Sequence, residues 1–153
     1  MLRLRTSAAI AALALSASAA AAQDSPTLSA EQSEEYGQYI VGPHSEPVYL
    51  FTTDMQGNGG EPTISCTSEE CLDAWPLVTT NSEVTVGPEL DPSLAGTFSY
   101  EGQTVVTYNG WPLYNFMRDE TGQTPQGQDI HSFGGEWYLV GPQGEQIEEE
   151  STE

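Results

Sequence analysis

Two aspartates occupy matching places in this 153-residue chain. Asp54 stands five residues after Tyr49 and three after Phe51, and Asp119 stands the same distances after Tyr114 and Phe116. Two carboxylates brought to one cleft could divide acid and base roles between them, the chemistry of a polysaccharide hydrolase. The same placement, three residues before Gly57 or Gly122, also suits a side chain that accepts hydrogen bonds from turn amides. No nucleophile elbow and no Ser-His-Asp order accompanies them. His44, His131, Met55 and Met117 carry the imidazole and thioether groups that suit copper, though in no H-x-x-x-H or M-x-x-M cluster. The acids and Gly of 54–58 and 119–122 offer oxygen ligands to calcium, without the spacing of an EF-hand. Cys66 and Cys71 are the only cysteines. Their C-x-x-x-x-C spacing differs from the C-x-x-C of thiol oxidoreductases, so a local disulfide is preferred over a redox or metal-binding dithiol. Closing so short a loop stabilises by about 2 kcal/mol, enough to pin local geometry but not to hold a domain together.

The aspartates belong to an internal repeat. Residues 47–57 align with 112–122, with Pro, Tyr, Phe, Asp and Gly identical, and Trp75-Pro-Leu-Val is echoed by Trp137-Tyr-Leu-Val. In an extended chain Tyr49 and Phe51 share one face, as do Tyr114 and Phe116. Two copies of a strand–turn unit, each closed by a tryptophan segment, predict a domain of two pseudo-symmetric halves, about 46–80 and 105–144.

The surrounding pattern is that of strands and turns. Runs 97–100, 103–108 and 111–117 are rich in β-branched and aromatic residues and are separated by Glu101-Gly102 and Asn109-Gly110, so they predict a meander. Pro112 lacks an N–H and places an edge or a late start in the third run. Further strands are expected at 36–41, 48–53, 84–86 and 137–140. One short helix is predicted near 68–74. Thr67 and Glu70 have capping-box spacing, which would set Cys66 and Cys71 at the two positions of a hydrophobic staple, and Pro76 stops the helix after Trp75. The whole is a mostly β fold, a small antiparallel sandwich or open barrel, over a single domain at 36–144. A polar lead-in at 23–35 and an acidic tail at 145–153, with five acids in nine residues, read as flexible and solvated.

Charge and compartment limit the partners. The chain holds 23 acidic and 3 basic side chains, a net charge of −20. Arg3 and Arg5 fall within residues 1–22, which have the charged start, short apolar run and Ala20-Ala21-Ala22 end of a secretory signal peptide. Its removal leaves Arg118 as the sole Lys or Arg. Nucleic acid and anionic membrane surfaces are thereby excluded as partners, since both need clustered basic residues. The apolar run is too short to remain as a membrane span. A self-repelling acidic surface fits a saline exterior, or steers cations and basic partners toward it.

Tyr-x-Phe-x-x-Asp, present twice, resembles a family of bacterial secreted proteins and lipoproteins grouped by a Y-x-(F/W/Y)-x-x-D motif and described as a secreted repeat of unknown function. Cys71-x-x-x-Trp75-Pro76-Leu77, the run from Val106 to Tyr114, and Gly135-Glu-Trp137-Tyr-Leu-Val are similar to the same family. The resemblance spans about 46–144. Two features depart from it: the family's cysteines usually lie one residue closer, and no lipid-anchor Cys follows the signal segment, which argues for a free soluble form. The resemblance implies no activity, substrate or cofactor. The sequence therefore points to an exported, soluble, non-enzymatic acidic module, periplasmic or secreted, with an unidentified ligand or protein partner. Exposed Tyr108, Trp111 and Trp137 would form its binding patch by stacking on sugars or gripping a basic partner. The alternatives are an extracytoplasmic calcium or copper protein and, below that, a hydrolase using the paired aspartates.

Overall fold

The computed structural model describes residues 25–148; residues 1–24, with the expected signal segment, and residues 149–153 lie outside the described residues. The fold is mostly β, as expected, in three small antiparallel sheets with one short helix and, among the described residues, no closed barrel. Strands β1 (Ser29–Ser33) and β2 (Gly37–Val41) form the first sheet. The second has the order β3 (Tyr49–Phe51), β8 (Gly135–Leu139), β7 (Ile130–Ser132). The third is the meander of β4 (Ala95–Tyr100), β5 (Gln103–Tyr108) and β6 (Trp111–Pro112).

Three of these hairpins turn on two residues that both hold positive φ: Glu101-Gly102 (47°, 79°), Asn109-Gly110 (51°, 77°) and Phe133-Gly134 (54°, 85°). This turn matches the right-handed twist of the strands it joins. Strand β3 is buried on both faces. Tyr49 and Phe51 enter an aromatic core with Trp75, Tyr114, Phe116 and Trp137. Leu50, with Val48, enters an aliphatic core with Ile40, Val106 and Leu113. The alternation of a strand thus divides the apolar residues of one segment between two cores.

Five local expectations are corrected. The run 111–117 is not one strand: β6 ends at Pro112, the last bond to β5 runs from Leu113 N–H to Val106 O at 3.1 Å, and Val106 N–H turns instead to Val78 O at 2.8 Å. The chain then changes partners, Val78 N–H donating to Leu113 O at 2.8 Å and Asn115 N–H to Pro76 O at 2.8 Å. Residues 84–86 make only a parallel bridge, Val86 with Leu28, through Leu28 N–H to Thr85 O and Gly87 N–H to Leu28 O, before the chain turns from Pro88. The helix α1 (Glu69–Ala74) is capped by Ser68, not Thr67, whose neighbour accepts from Cys71 N–H at 3.2 Å. Cys66 therefore sits one place further from the helix than a staple requires. The lead-in is structured from Leu28 onward, where β1 pairs fully with β2 and Leu28 is completely buried. Likewise Gln146 bridges Val140 and Ile147 N–H donates to Leu139 O, so the tail is ordered at its start.

Candidate functional site

The two repeats meet at their tyrosines. Tyr49 N–H donates to Tyr114 O at 2.8 Å and Tyr114 N–H to Tyr49 O at 3.0 Å, a reciprocal backbone pair at the centre of the molecule. From there each side chain reaches the other repeat's carboxylate. Tyr114 Oη donates to Asp54 Oδ2 at 2.7 Å, and Tyr49 Oη donates to Asp119 Oδ2 at 2.6 Å. The turns carrying the acids are themselves equivalent, with Asp54 N–H donating to Phe51 O and Asp119 N–H to Phe116 O. We call the two Tyr–Asp pairs clasps.

The remaining oxygens are also engaged. Asp54 Oδ1 accepts from Ser65 N–H at 2.8 Å and Ser65 Oγ at 2.9 Å. Paired bonds between Met55 and Thr63 close the intervening loop and bring Ser65 back to the acid. Asp119 Oδ1 accepts from Gln126 N–H at 2.7 Å, and Gly127 N–H donates to Tyr49 Oη at 3.1 Å. Gly127 must be glycine, since a Cβ there would lie 2.6 Å from Tyr49 Cζ and 3.0 Å from Trp75 Cη2. Burial raises the pKa of both acids; bonds from Ser65 and Tyr114 pull Asp54 back down, as those from Tyr49 and Gln126 do Asp119. Burial and the facing carboxylates push both tyrosine hydroxyls far above their ordinary value.

Under the clasps lies a ladder of four rings drawn alternately from the two repeats. Phe116 stacks on Trp75 at 4.1 Å, Trp75 on Trp137 at 4.0 Å with planes 1° apart, and Trp137 on Phe51 at 3.9 Å. Tyr49 meets Trp75 edge-on at 5.4 Å, and Tyr114 meets Trp137 edge-on at 4.9 Å. A two-fold operation that exchanges the repeats maps this ladder onto itself. Trp137 Nε1 is buried without a hydrogen-bond partner, so ring packing alone holds that indole. The bridge between Cys66 and Cys71 borders this core.

All eight motif residues (Tyr49, Phe51, Asp54, Trp75, Tyr114, Phe116, Asp119 and Trp137) thus gather in one cluster, where each carboxylate serves a tyrosine of the opposite repeat rather than a shared cleft. The candidate metal ligands fall on separate segments. His44 is exposed in the 42–46 turn, Met55 and Met117 are 67% and 64% exposed in loops, and His131 is in β7. His131 lies 3.4 Å from Asp129 through one ring nitrogen and 3.4 Å from Glu136 through the other, so the two acids share no centre. Among the described residues no group of three or more His, Cys, Asp or Glu is placed to hold a metal ion. The expected aromatic patch is corrected as well: Tyr108 and Trp137 are fully buried and Trp111 half-buried. Tyr108 Oη is occupied between Pro142 O and Asp91 N–H, an inward role that apolar strand patterning could have revealed. Ser65, Gln126 and Gly127 were hidden from the repeat alignment, because the loop returning to the acid takes 11 residues in one copy and 7 in the other.

Residues 99–140, from the end of β4 through β8, match a family described as a secreted repeat of unknown function. The matched stretch contains Tyr114, Phe116, Asp119 and Trp137, the second repeat's whole share of the clasps and ladder. No curated protein and no solved structure matches the chain. No helix among the described residues is long and apolar enough to cross a membrane.

Proposed function

We propose that the chain is an exported, non-enzymatic module that works by binding outside the cytoplasm, periplasmic or secreted once residues 1–22 are removed and without a lipid anchor. One observation carries this reading: the motif carboxylates, the best candidates for chemistry, are consumed internally, Asp54 by three hydrogen bonds and Asp119 by two. A catalytic acid needs an oxygen free to meet substrate. The motif then builds a scaffold, and function belongs to the surface this scaffold holds still. The reading uses no cofactor. It also keeps nucleic acid and membrane insertion out of the list of partners, on grounds of charge.

The test is to incubate the mature protein with the envelope fraction of its own host, then pellet and assay both phases. Saturable, reversible retention with the envelope material recovered chemically unchanged is the expected result. Release of new reducing ends that stops in D54N or D119N would replace this reading with a hydrolase, and absence of any retention would end it.

A further inference from the structure

The outer edge of a sheet offers unpaired N–H and C=O groups to other chains, and most edges of this molecule are closed. Strand β2 is covered where Ile40 N–H donates to Val140 O at 2.9 Å, and β3 where Tyr49 and Tyr114 exchange bonds. β1 carries Glu31, and Leu28 ties its start to residues 85–87. β7 has three residues, with His131 set between Asp129 and Glu136, and β6 has two and ends in proline. Shortness, charge and proline all keep other chains off an edge.

Strand β4 has none of these protections. It runs six residues, Ala-Gly-Thr-Phe-Ser-Tyr, at the outer position of its sheet. It pairs with β5 at every position from Ala95 with Tyr108 to Tyr100 with Gln103, without a bulge. The two-residue turn at 101–102 makes Tyr100, Phe98 and Gly96 the hydrogen-bonded partners of residues 103, 105 and 107. Asn109 N–H donating to Leu94 O continues that alternation, while Thr104 O and Val106 N–H serve Thr80 and Val78 on the far side of β5. The N–H and C=O of Ala95, Thr97 and Ser99 therefore point away from β5. Among the described residues they have no hydrogen-bond partner, and Thr97 and Ser99 are exposed.

We propose that β4 receives an extended segment of a basic protein partner as an added strand. Unpaired N–H and C=O groups recurring at every second residue match the main chain of one more strand. Phe98 and Tyr100, half-buried against the aromatic core, stand on one face of the edge, so the incoming segment gains by placing apolar side chains beside them. Charge selects the kind of protein. Within residues 92–117 Glu101 alone is charged, in a chain that holds 23 acids, which leaves the middle of the edge clear for main-chain pairing. Exposed Glu89 and Asp91 precede β4 in the chain, and exposed Glu101 follows it. Lys or Arg at the ends of the incoming segment meets these acids, whereas a second copy sets one net charge of −20 against another. The inference deepens, and rests on, the reading of the chain as a binding module.

The experiment adds the capped heptapeptide Lys-Val-Thr-Val-Thr-Val-Lys to the full mature chain and follows amide hydrogen exchange. In the free chain Thr97 and Ser99 should exchange fast and Phe98, paired with Val105, slowly. Peptide at about ten times its dissociation constant should slow Thr97 and Ser99 about tenfold, and added salt should weaken its binding. The same peptide N-methylated at its central residues should not bind, because it has lost its main-chain donors. T97P removes an outward donor that the hairpin does not use, so it should shift Tm by less than about 3 °C and weaken peptide binding about tenfold. E101Q should weaken binding about threefold with Tm unchanged. The proposal is overturned if the peptide leaves Thr97 and Ser99 unprotected, if the N-methylated peptide binds equally well, or if T97P and E101Q both bind as the parent does. Protection of these amides that rises with protein concentration in the free chain would give the edge to a second copy and overturn it too. Failure of the peptide with envelope retention intact would remove the edge inference alone; loss of both would remove the binding reading as well.

Discussion

The two clasps are equivalent in connectivity but not in environment. Asp54 is 6% exposed and fully surrounded by donors, while Asp119 is half-buried beside a solvent-facing loop. Removing the tyrosine hydroxyl takes one charge-assisted bond from each acid, worth about 1.5–3 kcal/mol. Y49F also strands the buried Gly127 N–H, so it should destabilise at least as much as Y114F even where water partly replaces the lost donor at Asp119; denaturant titration of both variants measures the difference. The acids also set the pH response. Their pKa values are raised on folding, so above about pH 3.8 the folded chain holds protons the unfolded chain has released. Stability should thus be greatest in acid, decline as pH rises through the folded-state values, and level off once both carboxyls are ionised. A denaturation midpoint no higher at about pH 4 than at about pH 7, or a slope unchanged in D54N/D119N, would contradict this. At the other end, Tyr49 and Tyr114 contribute stability that is complete below pH 10.0 and lost above it.

At the scale of elements, the sequence disclosed what depends on neighbours and concealed what depends on distant partners. The 103–108 strand and its Asn109-Gly110 turn were legible because Val-Val-Thr-Tyr and Asn-Gly settle their geometry locally. The break after Pro112 was not legible: Leu113 N–H still bonds Val106 O, and the switch to Pro76 and Val78 depends on a segment distant in sequence. β1 escaped because Ser29, Glu31 and Gln32 carry no apolar alternation, and its place comes from full pairing with β2. The capping box misled by one position, as Ser68 and Thr67 are both good caps and the backbone chose the nearer. The Cys66–Cys71 bridge closes the segment between Ser65 and α1, so it fixes the donor that serves Asp54. Reduction should lower stability by about 2 kcal/mol without unfolding the domain, and C66A/C71A should lessen the penalty of D54N rather than add to it. A double-mutant cycle on thermal unfolding checks both.

For the whole molecule the two halves are interleaved rather than adjacent. The repeat, read from five identities and two tryptophans, foretold a pseudo-symmetric domain; it did not foretell that Tyr would serve the opposite Asp, because exchange and self-service leave the same sequence trace. With the ladder alternating between copies, neither half keeps a core when the other opens. Unfolding should be a single cooperative transition, and W75A or W137A should destabilise by about 3–5 kcal/mol while melting both halves together. Two transitions, or a variant with one half still ordered by amide exchange, would refute the coupling.

Reciprocal exchange has an arithmetic of its own. One copy of the unit has a phenol with no acid to meet and an acid with no phenol, and a second copy satisfies both at once. Closure therefore comes in even numbers. A chain bearing a single copy would have to find its twin in another molecule, and an array of three would carry one unit open at its end. The fused pair seen in this chain is the smallest covalent form in which no hand is left extended, and parity, more than length, decides which repeat arrays of this kind stand alone.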